Sequence, residues 1–262
     1  MAFCLRAAVC SDIGGHRETN QDAAFAASWA AGVADGVGGG PAGDLASAAL
    51  VHRLVAGRAH EADAEALAAR IREANWDLGA HVRRDPALLG MATTFTTVWF
   101  SETGALLLAH TGDSRAYLVR DGLLVRQTRD DSFVQALVDQ GLVRAEDAMT
   151  HPRRNIITAS LRGEAADLVR VEERAAVRGD RWLICSDGVS DYLPDDAIRE
   201  VLHGVGDPDR AARQLVRASL EAGSRDNVTA VVADVVDGAP GHERPVFAGA
   251  AAARFAEGDL AV

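Results

Sequence analysis

Residues 93–100 (TTFTTVWF) are rich in Thr and aromatics, and apolar residues run almost unbroken through 105–110 (ALLLAH), after a short turn at Glu102 to Gly104. Runs of this length, rich in Thr, aromatic and aliphatic side chains, predict short buried strands. Residues 116–128 (AYLVRDGLLVRQT) are two such runs around Asp121-Gly122, a pair that favours a two-residue hairpin turn. RWLICSD at 181–187 and NVTAVVADVV at 227–236 predict further strands. Elsewhere the period becomes helical. Residues 43–56 are rich in helix formers, and in 61–84 Leu67, Ile71 and Leu78 fall near helical spacing. A third helix is punctuated at both ends: Asp207 can cap it, Pro208 suits its first position and Gly223 follows it. Its apolar face is Ala211, Ala212, Leu215, Val216 and Leu220.

Consecutive strands joined by tight turns, with helices set between runs of strands, predict an α+β fold of antiparallel sheets with helices outside. No internal repeat is present. Residues 132–141 read as a short helix inside a long irregular insert, and such inserts on a rigid scaffold are often functional. After Asp237 the pattern stops. The reading is one domain over 1–237 and a C-terminal extension over 238–262.

The chain has 262 residues, enough to bury a large core. No apolar run approaches the length of a membrane span, and the N-terminal residues lack a basic start, a long apolar stretch and a small-residue cleavage site. A cytoplasmic protein is expected. The three cysteines, Cys4, Cys10 and Cys185, form neither a disulfide framework nor a CxxC pair. A net charge of −11 disfavours a nucleic-acid partner. All 27 basic residues are Arg. Codon bias is the simple explanation, but the absence of Lys excludes a Walker A lysine, a Schiff-base lysine and a kinase strand lysine.

Chemistry enters at the strand ends. Residues 33–40 (VADGVGGG) could be a phosphate-cradling loop or a metal turn. Asp35-Gly36 is one of several such endings: Gly112-Asp113-Ser114 follows the run ending at His110, Ser186-Asp187-Gly188 follows Cys185, and Asp226-Asn227 precedes the last strand. Asn20-Gln21-Asp22 adds a carboxylate near the N-terminus. One Asp-Gly at a strand end is usually only a turn. Several converging on one sheet edge would repel unless a cation neutralised them, and an all-oxygen site suits Mg or Mn. No HExxH and no His/Cys cluster is present. Two divalent ions roughly 3.5–4 Å apart can generate a hydroxide nucleophile and clamp a phosphoryl group. Arg17, five residues before Asp22, carries the planar guanidinium suited to bidentate phosphate capture. Other phosphatase chemistries fail: a C-x5-R loop from Cys185 would need Arg where Asp191 stands, no DxDx[TV] motif occurs, and no GNH[DE] follows the GDSR at 112–115.

The ordered set SDIGGHRETNQDA, VADGVGGG, GMATTFTT, HTGDSRAYLVRDG, TRDDSFVQALVDQG, HPRRN, GDRWLICSDGVSD and SRDNVT, spanning about residues 6–236, resembles the bacterial metal-dependent serine/threonine protein phosphatases of type 2C. The resemblance implies a four-layer α-β-β-α sandwich, two antiparallel β-sheets flanked by helix pairs, and two to three divalent metal ions, Mn or Mg. It implies that Asp35 bridges two ions with the Gly36 carbonyl as a further ligand, that Asp187 and Asp226 complete the second ion's shell, and that Asp22 holds metal-bound water. Asp113, with Asp187, would bind a third ion, which Asn155 could reach from a flap over about 130–155. Arg17 would grip the substrate phosphate. The implied partners are phosphorylated protein substrates, an opposing serine/threonine kinase and, as in some relatives, a forkhead-associated protein. A catalytically weak regulatory module that binds phosphoproteins is the alternative. Three positions depart from the pattern. Val37 stands where animal members carry a His proposed as leaving-group acid, Gln21 where some relatives have Glu, and Ala92 where Gly is usual.

Overall fold

The computed structural model describes residues 2–37, 42–56, 63–101, 103–241 and 243–254. The expected glycine turn at 38–40, the first residues of the helix expected from 61, and Glu102 lie outside them.

Among the described residues eleven strands form two antiparallel sheets. In chain order they are β1 (Phe3–Asp12), β2 (Asp22–Ala26), β3 (Ala30–Asp35), β4 (Phe95–Phe100), β5 (Leu106–Thr111), β6 (Arg115–Arg120), β7 (Leu123–Arg126), β8 (Arg170–Arg174), β9 (Arg181–Cys185), β10 (Val228–Asp237) and β11 (Val246–Gly249). One sheet has the order β1-β10-β9-β6-β7 and the other β11-β2-β3-β4-β5-β8. Helices α1 (Gly43–Val55) and α2 (Ala64–Arg84) pack with the six-stranded sheet, and α5 (Asp195–Gly204) and α6 (Pro208–Glu221) with the five-stranded one. Two short helices, α3 (Phe133–Asp139) and α4 (Asp187–Ser190), and a final α7 (Ala250–Arg254) complete the set.

The side-chain alternation of the strands builds the four layers. On β9, Trp182 and Ile184 face the gap between the sheets while Leu183 and Cys185 face α5 and α6. On β5, Leu106 and Leu108 face the gap and Leu107 and Ala109 face α1 and α2. Strands buried on both faces have no polar face to show. That is why the central runs read as continuously apolar.

The helix ends follow their sequence signals. Asp63 caps α2 by accepting from the Ala66 amide (2.7 Å), and Asp207 caps α6 by accepting from the Arg210 amide (3.0 Å) with Pro208 at the first position. At the β6–β7 turn Asp121 has φ 51° and Gly122 φ 80°, the left-handed pair a two-residue hairpin requires.

Four strands were not predicted. β1 is half-buried along most of its length at a sheet edge, β2 is largely alanine, β8 (RVEER) is a polar edge strand, and β11 lies in the segment read as an extension. There Val246–Gly249 pairs with β2, and α7 packs on α1. Helix α5, also unpredicted, is the partner of α6.

Candidate active site

Each acidic turn falls at the same end of the sandwich because it terminates or starts a central strand. Asp35 ends β3 and stands directly opposite Asp22, the first residue of β2. Asp113 follows β5, Asp187 opens α4 immediately after β9 and Ser186, and Asp226 precedes β10. Arg17, Gln21, Asp35, Gly36, Val37, Thr94, Asp113, Asn155, Ile157, Asp187 and Asp226 line one pocket of about 160 Å³. Asp22 lies beneath it, 1% exposed. The sequence-predicted residues are therefore brought together, Asp22 as a buried floor rather than a wall.

Several contacts hold this geometry rigid. The Thr94 hydroxyl accepts from the Asp35 amide (3.0 Å), and the Thr93 hydroxyl donates to the Asp35 carbonyl (3.0 Å). Ser186 donates to Asp22 Oδ2 (2.7 Å) while its Oγ accepts from the Thr229 amide (3.1 Å). Asn227 Oδ1 accepts from the Gln21 amide (2.8 Å), and its Nδ2 donates to the Ile13 and Thr19 carbonyls (2.9 and 3.1 Å), so one side chain clamps the loop that bears Arg17. Two glycines are steric necessities. A Cβ on Gly36 would lie 2.3 Å from the Gly43 carbonyl oxygen, and one on Gly188 1.9 Å from that of Asn227. Arg17 Nη2 donates to Asp226 Oδ2 at 2.6 Å.

Burial, then Coulomb repulsion, dominates the electrostatics. The Asp22 carboxyl is pushed up to about 6, first by burial and further by Asp226, against hydrogen bonds from Thr229 and Ser186. Asp113 is pushed up to about 7 by burial and then by Asp130 and Asp191. Asp35 and Asp187 are held well above the usual carboxylate range, by burial first and then by their acidic neighbours. Asp22 Oδ1 and Asp187 Oδ1 are buried acceptors with no donor. A set of oxygen ligands that repel one another and lack donors fits hard divalent cations. Among the described residues no three such groups close around one point, so water would complete the coordination, as these ions allow.

The flap begins where Asp131 accepts from the Gly112 amide (3.1 Å) and from Arg170. It carries α3, capped by Ser132, and a tight 3-10 turn over Ala145–Thr150. Between the flap and α4–α5 lies a second cavity of about 590 Å³, with Asp113 in the wall common to both. Sequence reasoning gave no role to Asp191, which receives Arg154 Nε at 2.9 Å, or to the clamp Asn227. Asp191 stands four residues after Asp187, one helical turn away, and that spacing was the available signal. For Asn227 only adjacency to Asp226 was legible.

The protein phosphatase 2C family model matches residues 15–230. The serine/threonine protein phosphatase PstP of Mycobacterium tuberculosis is 41% identical over 253 residues, 95% of this chain and 49% of PstP. The serine/threonine phosphatase stp of Listeria monocytogenes is 31% identical over 210 residues, 77% of this chain and 82% of stp. Among solved structures, M. tuberculosis PstP/Ppp superposes with a TM-score of 0.82 at 39% identity, covering 89% of this chain and all (100%) of that one. The catalytic domain of PstP in complex with two manganese ions gives 0.81 at 39% identity, covering 90% and 100%. This chain belongs to the protein phosphatase 2C family. It spans about half the length of the mycobacterial relatives it matches.

Proposed function

We propose that this protein hydrolyses phosphoserine and phosphothreonine in proteins with the help of divalent ions, Mn or Mg. The observation that carries the reading is the buried acidic cluster of a type 2C fold, with two donorless carboxylate oxygens, one on Asp187 of the pocket wall and one on Asp22 beneath it. Asp35, the Gly36 carbonyl, Asp187 and Asp226 would hold two ions, and Asp113, with Asp187 and Asn155 nearby, a third. When bound, such ions supply a nucleophilic water at neutral pH and offset the charge of the phosphoryl group.

The chain's own residues do the rest. Arg17, 40% exposed at the pocket rim, swings from Asp226 to grip the phosphoryl oxygens. Asp22 receives Ser186 and orients the floor beneath Asp35. Thr93 and Thr94 hold the Asp35 backbone so that its carboxylate faces the pocket. The apolar side chain of Val37 gives the leaving alkoxide no proton, so that proton comes from elsewhere in the pocket. The catalytic residues fall within 1–237, and β11 and α7 of the extension add an edge strand and a helix to the same fold. The opposing enzyme is a serine/threonine kinase acting in the cytoplasm, and a forkhead-associated protein is one substrate of the expected kind. No helix among the described residues is long and apolar enough to cross a membrane. No observation favours the regulatory-module alternative, and Asp35, Asp113, Asp187 and Asp226 lining one pocket support the enzymatic reading.

Hydrolysis of an aryl phosphate and of a phosphothreonine peptide should require Mn or Mg and cease in chelator. Asp187→Ala should lower kcat by more than about a hundredfold, an effect on the scale of removing a major electrostatic group. Full activity in that variant would refute the assignment.

A further inference from the structure

His110 has no part in that reaction, yet it is 5% exposed and uses both ring nitrogens. It stands on β5, three residues before Asp113. Nε2 lies 3.0 Å from the Arg129 carbonyl oxygen at the start of the flap. A carbonyl only accepts, so Nε2 carries a proton. Nδ1 lies 2.9 Å from Thr96 Oγ1, and that hydroxyl is also 3.1 Å from the carbonyl oxygen of Ser114. The Ser114 hydroxyl meets Thr94 Oγ1 at 2.7 Å, and Thr94 Oγ1 accepts from the Asp35 amide. A line of polar contacts thus joins the flap root to the turns that carry Asp113 and Asp35.

Thr96 has one hydroxyl proton and two acceptors in reach. With a neutral ring it donates to Nδ1, and the Ser114 carbonyl goes without it. With both ring nitrogens protonated, Nδ1 donates to Thr96 and Thr96 donates to Ser114, so the whole line is made. Burial lowers the His110 pKa. Asp131 and Asp130 of the flap root oppose this, while Arg170 of β8 reinforces it. Arg129 and Glu172 line the same cavity of about 210 Å³ beside the ring. The neutral, Nε2-protonated ring is thus the form at neutral pH.

We propose that His110 is a positioning residue that fixes the root of the flap, at Arg129, against β5, whose end leads into the turn bearing Asp113, and thereby sets how a phosphopeptide seats beside the acidic pocket. Its kinetic consequence rests on the phosphatase reading; its structural consequence does not. The flap keeps a second tie through Asp131 and Gly112, so losing the imidazole loosens it without releasing it.

Three measurements test this. In His110→Phe, KM for a phosphothreonine peptide should rise about tenfold, the equivalent of about one lost charge-free hydrogen bond, with kcat for an aryl phosphate changed less than about twofold. His110→Gln, which keeps an amide donor for Arg129, should recover most of that KM. In metal-free protein, trypsin should cut at Arg144 several-fold faster in His110→Phe and no faster at Arg225, outside the flap. Ring 15N shifts of the wild type should report the Nε2–H tautomer at neutral pH. An Nδ1–H tautomer, equal acceleration at both trypsin sites, or unchanged cleavage at Arg144 would overturn the proposal, and so would a matched fall in activity on both substrates. Wild-type protein inactive on both substrates with metal would refute the phosphatase reading instead, leaving proteolysis and ring shifts to decide His110.

Discussion

The acidic pocket should make the metal-free protein less stable at neutral pH than at mildly acid pH. Asp22 shows the sign most clearly because it is buried and its upward shift is defined. In the unfolded chain its carboxyl titrates near the ordinary 3.8, and in the folded protein at about 6. The folded state therefore holds the proton to higher pH, and ionisation pulls the equilibrium toward the unfolded chain. The stabilisation is complete below about pH 4 and is lost as pH rises through about 6. Integrated between about pH 5 and pH 7.5, Asp22 alone withdraws about 1.4 kcal/mol of stability. Asp35, Asp113 and Asp187 are shifted the same way and add to the loss. The assay is urea unfolding in chelator, followed by fluorescence of the buried Trp99 and Trp182. Asp22→Asn should flatten the pH dependence by about 1 kcal/mol, and Mn at about a hundred times its Kd should restore about 2.7 kcal/mol at neutral pH. Stability that rises from pH 5 to 7.5 without metal would refute the reasoning, as would an identical pH dependence in Asp22→Asn.

Gly188→Ala should cost about 3 kcal/mol, the upper range for overpacking, because its Cβ would meet the fixed Asn227 carbonyl at 1.9 Å; thermal melting should fall by roughly 6–12 °C. A melting point within about 2 °C of wild type would show that the α4 turn can shift. Val37→His places an imidazole in the wall of the acidic pocket. Turnover of a phosphothreonine peptide, whose leaving group needs a proton, should rise about tenfold relative to an aryl phosphate, below the full range for a positioned acid. An unchanged ratio would mean that position 37 does not face the leaving group.

The parts legible in the sequence were those that one physical cause dominates. Doubly buried strands such as β5 and β9 announce themselves as apolar runs, and α6 announces itself through Asp207, Pro208 and Gly223. β8 did not, because an edge strand with exposed Glu172 and Glu173 has neither a buried face nor β-forming composition. β2 did not, because alanine favours helices and only burial between β3 and β11 makes DAAFA a strand. At the site, the carboxylates were visible as Asp beside Gly at strand ends. Asn227 and His110 were not. Gln21 lies 206 residues from Asn227, and no local pattern encodes such a contact; the partners of His110 are nearer, Thr96 opposite it on β4, but the apolar run that marks β5 says nothing of what a single histidine in it will meet.

The same distances explain how one chain keeps mutually repelling carboxylates together. Asp22 and Asp35 are forced opposite each other by the β2–β3 ladder, whose other pairs are buried Ala, Val, Phe and Gly. Asp187 and Asp226 are brought in by β9 and β10 of the other sheet, held by apolar layers on both faces. Like charges directly opposed across a ladder destabilise it, so the hydrophobic sandwich works against its own rim. The pocket is thus strained toward whatever neutralises it, and Arg17 on Asp226 supplies only one positive charge. A cation at the rim would relieve the repulsion and free that guanidinium for a phosphoryl group. Ion binding and substrate capture would then be coupled through a single carboxylate, Asp226.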